Sequence, residues 1–250
     1  LKKLAQRCLE HVTFDRPSFE QAKAQVPNNS LMVLVPSHRS YTDFLLVSYL
    51  FYARPDLGIS IPRIAAAEEF SNIPVLGQAF QRMGAFYLKR GTGKEDLELT
   101  DRIHELVRNK ETLEFFIEGT RSRSRQFLRP RRGLLRCLQS TGQTVTILPV
   151  SLTYDRVPEE EIFLREIQGG QKPPMSLRGV IRWAQRVLRG EIELGRIHVT
   201  CGSPVIMDAT ADVRAVSGEV MRELQTNTAT TDHHLRSFLG ARPIRGIDLG

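Results

Sequence analysis

The segment "PSHRSYTD", residues 36–43, sets a histidine and an aspartate five positions apart between two apolar runs. In such a window His38 falls in the loop that leaves a strand, and Asp43 falls in the first turn of a helix. A carboxylate so placed accepts a hydrogen bond from one imidazole nitrogen. That bond orients the ring and leaves the other nitrogen ready to take a proton from a hydroxyl. A plainer account is also open: Asp43 is an acid favoured at a helix start by the helix dipole, and His38 is a loop histidine with no chemical task. The segment alone leaves both standing. A serine nucleophile fits less well, because Ser37 and Ser40 crowd their own base in sequence and no G-x-S-x-G elbow occurs.

Three further strand ends carry residues suited to chemistry. "GAFYLKR", residues 84–90, closes on two cations, Lys89 and Arg90, which either clamp a phosphate or are simply solvated. "FFIEGTRSRSR", residues 115–125, joins Glu118 and Gly119 to Arg121, Arg123 and Arg125. Glu118 beside Arg121 points to a carboxylate holding a guanidinium ready for an anion. "ILPVSLTYD", residues 147–155, contains Pro149, which suits an edge, a bulge or a strand end, so this segment is expected to shape a wall.

Residues 119–136 hold seven arginines and no acid. Such a run serves a nucleic-acid backbone, or substrate phosphate and lipid headgroups around a site. Phe127 is its sole aromatic residue, so base stacking is poorly served. No phosphate-binding loop and no G-x-G-x-x-G follows the first strand, and "RGTGK" lacks the required spacing. Neither H-E-x-x-H nor paired C-x-x-C occurs, so no metal is implied.

The elements that must position these residues alternate along the chain. Strands are expected at 31–35, 63–67, 85–88, 113–117, 144–152 and 196–201, from short apolar runs rich in branched residues. Helices are expected between them, at 42–53, 74–82, 94–109, 133–139 and 176–188. In the last of these, Leu177, Val180, Ile181, Ala184, Val187 and Leu188 share one face and leave the arginines outward. Strands separated by helices predict an α/β fold, a mostly parallel central sheet flanked by helices on both faces. A helical N-terminal segment is expected over residues 1–29, the main domain over 30–207, and a helical extension or the start of a further region over 208–250. Within the last, "QTNTATTDHH" reads as a polar loop.

The 250 residues suffice for one sizeable core. The chain opens on Leu1 and is expected to be part of a longer protein. The surplus of 35 basic over 28 acidic residues, a net charge of +7, favours an anionic partner. No apolar stretch reaches the roughly 18–20 residues that span a bilayer. Three scattered cysteines suit neither a disulfide framework nor a zinc site, so a reducing compartment is expected.

Taken in order, the four blocks "PSHRSYTD", "GAFYLKR", "FFIEGTRSRS" and "ILPVSLTYD" resemble those of the glycerolipid acyltransferases that carry an H-x-x-x-x-D motif. The resemblance runs from about residue 30 to about residue 205. It is nearest to the glycerol-3-phosphate and dihydroxyacetone-phosphate acyltransferases, through the wording "HRS" and "EGTRSRS". Ser37 stands where many lysophosphatidate-forming relatives have Asn.

The resemblance implies transfer of a fatty acyl group from a thioester to a hydroxyl of glycerol 3-phosphate or dihydroxyacetone phosphate. It makes His38 the general base and Asp43 its orienter, with direct attack and no acyl-enzyme. Loop amides or Arg39 then stabilise the oxyanion. The substrate-binding residues it implies are Arg39, Ser40, Lys89, Arg90, Glu118, Gly119, Thr120, Arg121, Ser122 and Arg123. No cofactor and no metal are implied, since acyl-CoA or acyl carrier protein enters as a substrate. The expected partners are the phosphorylated acceptor, that donor and an anionic membrane surface, bound peripherally and facing the cytoplasm. Lysophosphatidate as acceptor, hydrolysis by the same His–Asp pair, and nucleic-acid binding by the arginines are the competing readings; nucleic acid is the disfavoured partner.

Overall fold

Most apolar runs become interior strands and the amphipathic stretches become helices laid over them, while the apolar run that follows Asp43 becomes a helix. The computed structural model describes residues 9–68, 71, 76–82, 84–88, 97–171, 177–189, 191 and 195–241. The chain runs through β1 (Leu9–Phe14), α1 (Arg16–Ala24), β2 (Leu31–Pro36), α2 (Asp43–Ala53), β3 (Arg63–Ala67), α3 (Leu76–Arg82) and β4 (Phe86–Leu88). It continues through α4 (Leu97–Arg108), β5 (Leu113–Glu114), α5 (Gly133–Gln139), β6 (Val145–Tyr154), α6 (Glu160–Ile167) and α7 (Leu177–Leu188). It ends in β7 (Gly195–Cys201), β8 (Val205–Met207), α8 (Val213–Thr226) and α9 (Asp232–Ala241).

The sheet order is β1-β7-β6-β2-β5-β3-β4, with β8 also on β6. Strands β6, β2, β5, β3 and β4 are mutually parallel, so their C-terminal ends open onto one rim. β7 and β8 run antiparallel to β6, and β1 lies parallel to β7. The expected α/β class with a mostly parallel sheet is what forms. Alternate residues of the central strands enter opposite cores. Val33, Val35, Leu113 and Ile147 pack with α4, α5 and α8, while Leu34, Leu148 and Val150 pack with Phe19 of α1 and Val47, Leu50 and Phe51 of α2. Both faces of the sheet are thereby dry, as a parallel sheet requires.

Four expectations change. The N-terminal segment is not wholly helical, because residues 9–14 form β1, paired to β7. Its alternation is that of a strand, with His11 and Thr13 exposed and Val12 and Phe14 half-buried. A partner some 180 residues downstream decides the matter over local propensity. Pro149 lies inside an interior strand rather than on an edge. Its side of β6 faces the gap between β8, which pairs as far as Ile147, and β7, which pairs from Val150, so no ladder bond needs its missing N–H. Ile181 of α7 is 49% exposed, outward with Arg178 and Arg182 rather than on the apolar face. Residues 225–234 were expected as a loop; the loop itself is shorter, since α8 continues to Thr226 and α9 starts at Asp232.

Candidate active site

Pro36 ends β2 in the middle of the sheet, and the chain leaves it under tight control. Ser37 donates its N–H to the Val150 carbonyl at 2.9 Å, and its Oγ accepts the Leu152 N–H at 2.9 Å. His38 then donates its own N–H to Glu118 Oε1 at 3.1 Å. The polar turn ends where Asp43 opens α2, so the carboxylate sits against the positive end of a helix.

Asp43 is 0% exposed and gathers four donors. Its Oδ2 takes His38 Nδ1 at 3.0 Å, Arg39 N–H at 2.6 Å and Ser40 N–H at 2.8 Å, and its Oδ1 takes the Tyr154 hydroxyl at 2.8 Å. Burial, and then the charge of Asp43, push the Tyr154 phenol well above its usual range, so it stays a neutral donor. A carboxylate can only accept, so the ring presents Nδ1–H to Asp43 and turns Nε2 away from it. Nε2 has no partner among the described residues. The ring is braced by Phe116, stacked at 4.1 Å between centroids and 23° between planes.

Glu118, 1% exposed, ties two loops together: Oε1 holds His38 N–H, and Oε2 holds Leu128 N–H at 2.9 Å. The expected Glu118–Arg121 pairing is replaced by another. Arg121 faces Glu159, with Nη1 3.5 Å from Oε1, while its guanidinium lies 3.2 Å above the Tyr41 ring and 5.0 Å from that of Phe163. Glu159 also accepts Tyr41 N–H at 2.7 Å and the Ser40 hydroxyl at 3.3 Å. Burial pulls the Arg121 guanidinium below its ordinary value, opposed by Glu159. The same burial pushes the Glu159 carboxyl up, opposed by Arg121 and the Tyr41 amide. Arg121 is 8% exposed, and its Nη1 makes no hydrogen bond among the described residues.

The loop after β5 closes the rim like a strap. Arg39 donates from Nη1 to the Arg125 carbonyl at 3.0 Å and lays its guanidinium 3.9 Å over Phe127. Arg125 holds the left-handed backbone at φ 61, an uncommon conformation for a non-glycine residue. Gly119 turns the strap at φ 69, where a Cβ would meet Arg131 Cγ at 2.9 Å.

Of the residues singled out from sequence, His38, Arg39, Ser40, Asp43, Glu118, Gly119, Thr120, Arg121 and Ser122 come together on this rim. Ser122 is buried with its hydroxyl 3.3 Å from that of Ser124, and Thr120 is half-buried. Arg123 is engaged on the outside with Glu166 at 2.7 Å. Lys89 and Arg90 lie outside the described residues. Sequence reasoning missed Tyr154, Glu159, Tyr41, Phe116 and Phe163. Tyr154 had one usable signal, its place at the C-terminal end of the long apolar strand, where the functional residues of a parallel sheet collect.

Fold and site together define an α/β protein with a buried His–Asp pair at the C-terminal rim of a parallel sheet. Residues 17–153 match the family described as Acyltransferase, and the chain belongs to that family. Dihydroxyacetone phosphate acyltransferase from Bos taurus is 32% identical over 220 residues, 84% of this chain and 31% of that protein. The human protein of the same description is 34% identical over 189 residues, 72% of this chain and 27% of its own length. Glycerol-3-phosphate acyltransferase from Xanthomonas axonopodis pv. citri is 32% identical over 197 residues, 76% of this chain and 22% of that protein. The chain therefore spans about a third or less of these curated relatives. Among solved structures, the 1-acyl-sn-glycerophosphate (LPA) acyltransferase PlsC from Thermotoga maritima shares the fold. Its TM-score is 0.50 at 18% identity, over 88% of this chain and 74% of that one.

Proposed function

We propose that this chain transfers a fatty acyl group from an acyl thioester, acyl-CoA or acyl carrier protein, to a hydroxyl of glycerol 3-phosphate or dihydroxyacetone phosphate. The observation that carries the reading is the His38 Nε2 left open while Nδ1 is fixed on a four-donor carboxylate. Nε2 takes the acceptor's hydroxyl proton as the oxygen attacks the thioester carbonyl. The C–S bond breaks as the tetrahedral intermediate collapses, and the imidazolium returns the proton to the leaving thiolate. A base so positioned contributes ~10²–10⁴-fold. The thioester is already activated, so the reading assigns no metal and no cofactor to the reaction.

Arg121 is the acceptor-phosphate residue in this reading, supported by its buried Nη1 without a hydrogen bond and its fixed plane between Tyr41 and Glu159. Lys89 and Arg90 join it as further cations. Arg39 stands between His38 and the strap, where it stabilises the oxyanion. Glu118, Gly119, Thr120 and Ser122 shape the acceptor pocket by holding the strap in place. The deciding experiment offers glycerol 3-phosphate, dihydroxyacetone phosphate and lysophosphatidate in turn, each with acyl-CoA and with acyl carrier protein. Transfer to either of the first two supports the reading. Transfer only to lysophosphatidate, or thiol release without any acceptor, overturns it.

The same reading has the chain working peripherally at an anionic membrane surface that faces the cytoplasm, where its product partitions. Support comes from the net charge of +7 and from the outward Leu164 and Ile167 of α6 and Ile181 of α7, set among Arg165, Arg178, Arg182 and Arg189. Among the described residues, no helix is long and apolar enough to cross a membrane.

A further inference from the structure

A second buried carboxyl, Glu114, lies within reach of the Asp43 charge, and the mechanism above makes no use of it. Glu114 ends β5, an interior strand, paired with Leu34 of β2 on one side and Ile64 of β3 on the other. Its neighbour Leu113 enters the core with α4 and α5, so Glu114 points to the opposite face, shared with Leu34 and covered by α2. It is 0% exposed, and neither carboxyl oxygen has a hydrogen-bond partner among the described residues. α2 opens at Asp43, whose charge reaches Glu114.

The two buried acids contrast sharply. Asp43 has four donors; Glu114 has none. A buried carboxylate without donors or a cation is strongly disfavoured, and a neighbouring anion adds to that. Burial first, and the charge of Asp43 second, push the Glu114 carboxyl well above its usual range. The titratable groups on the surrounding elements are Asp43 on α2, His38 and Arg39 after β2, Glu118 after β5 and Tyr154 on β6; of these the one cation, Arg39, is turned to the Arg125 carbonyl and the Phe127 ring. Arg63 of β3 lies one register step away, paired with Leu113 on the opposite face, and is engaged with Glu111 at 2.9 Å.

We propose that Glu114 is carried as the neutral acid at neutral pH and is a positioning residue for the His38–Asp43 pair. With Glu114 neutral, Asp43 is the carboxylate bonded to the imidazole and no further charge lies beneath it. With Glu114 ionised, a second negative charge stabilises the imidazolium and withdraws the base. The functional half of this proposal rests on His38 acting as the base; the protonation half does not.

Three measurements test it, with Glu114→Gln as the neutral isostere. Infrared spectra at neutral pH should contain a protonated-carboxylic-acid band that fades as pH is raised and is absent from Glu114→Gln. The pH dependence of folding supplies the second reading. The unfolded carboxyl titrates near 4.3, and the folded one titrates above it. The wild-type chain therefore loses stability relative to Glu114→Gln as pH rises past ~4.3, about tenfold in folding equilibrium constant per pH unit, until the folded carboxyl ionises. A missing band, or a stability difference that does not change with pH, overturns the proposal. In acyl transfer, Glu114→Gln should keep the acid limb of the pH–rate profile and extend the alkaline side. Profiles that superimpose on both limbs overturn the positioning role. If His38 proves not to be the base, the infrared and folding readouts still decide the state of Glu114.

Discussion

The Tyr154 hydroxyl donates to Asp43 Oδ1 across 2.8 Å, on the oxygen opposite the one that holds His38. The phenol thus fixes the carboxylate from behind, at the end of the strand that neighbours β2. Tyr154→Phe removes this donor without changing shape. A hydrogen bond to a charged group contributes roughly 1.5–3 kcal/mol, so kcat should fall about 10–100-fold with the acceptor KM little changed. An unaltered kcat would show that the two backbone N–H groups hold Asp43 by themselves.

His38→Ala should abolish acyl transfer while circular dichroism and thermal unfolding remain those of the parent. Asp43→Asn should lower kcat by roughly 10²–10⁴-fold, because an amide no longer selects the Nδ1–H tautomer. Turnover retained by His38→Ala would remove the base from the mechanism.

Arg121→Lys keeps the charge but loses the planar contact with Tyr41 and the fork that suits a phosphate. The acceptor KM should rise roughly 10–100-fold, with the donor KM nearly unchanged. Equal rises in both constants would take the phosphate away from Arg121.

Glu118→Ala leaves two N–H groups, those of His38 and Leu128, without their acceptor. Each buried orphan costs about 1–3 kcal/mol. At ~2–4 °C per kcal/mol for a chain of this size, Tm should fall by several degrees. Activity should fall with it, since the same carboxylate sets the His38 backbone. A Tm within a degree of the parent would mean that water replaces the carboxylate at no cost.

Ile181→Asp reverses the character of the outward face of α7. Co-sedimentation with anionic phospholipid vesicles should weaken several-fold, while transfer to a soluble acceptor from a short-chain donor stays the same. Equal binding by the parent chain to anionic and zwitterionic vesicles would argue against the arginine-rich face as the contact.

Much of this arrangement is local and therefore legible in the residues. The His38–Asp43 spacing, the Glu118-Gly119 turn and the strand–helix alternation all depend on neighbours within a few positions. What escaped depends on the sheet order. Glu159 and Tyr154 meet the histidine loop only because β6 lies beside β2, and a single strand's composition does not encode its neighbour. β1 is similar: "LEHVTF" has ordinary alternation, and its partner is "GRIHVTC" at the other end of the chain. Arg121 is legible in the sequence, but the carboxylate it meets is not the nearest one. Glu118 is nearer in sequence, yet the turn at Gly119 sends the two side chains apart and turns Arg121 toward Glu159.

The family match ends at residue 153, one position before Tyr154. A chain trimmed to residues 17–153 would lose the phenol that backs Asp43, the carboxylate that faces Arg121, and both β7 and β1. β6 would then be left as a bare hydrogen-bonding edge, a template for aggregation. Where this chain is shortened for expression, the minimal working unit should extend from β1 through α8, since β7 covers the end of β6 that carries the site and β1 in turn covers β7.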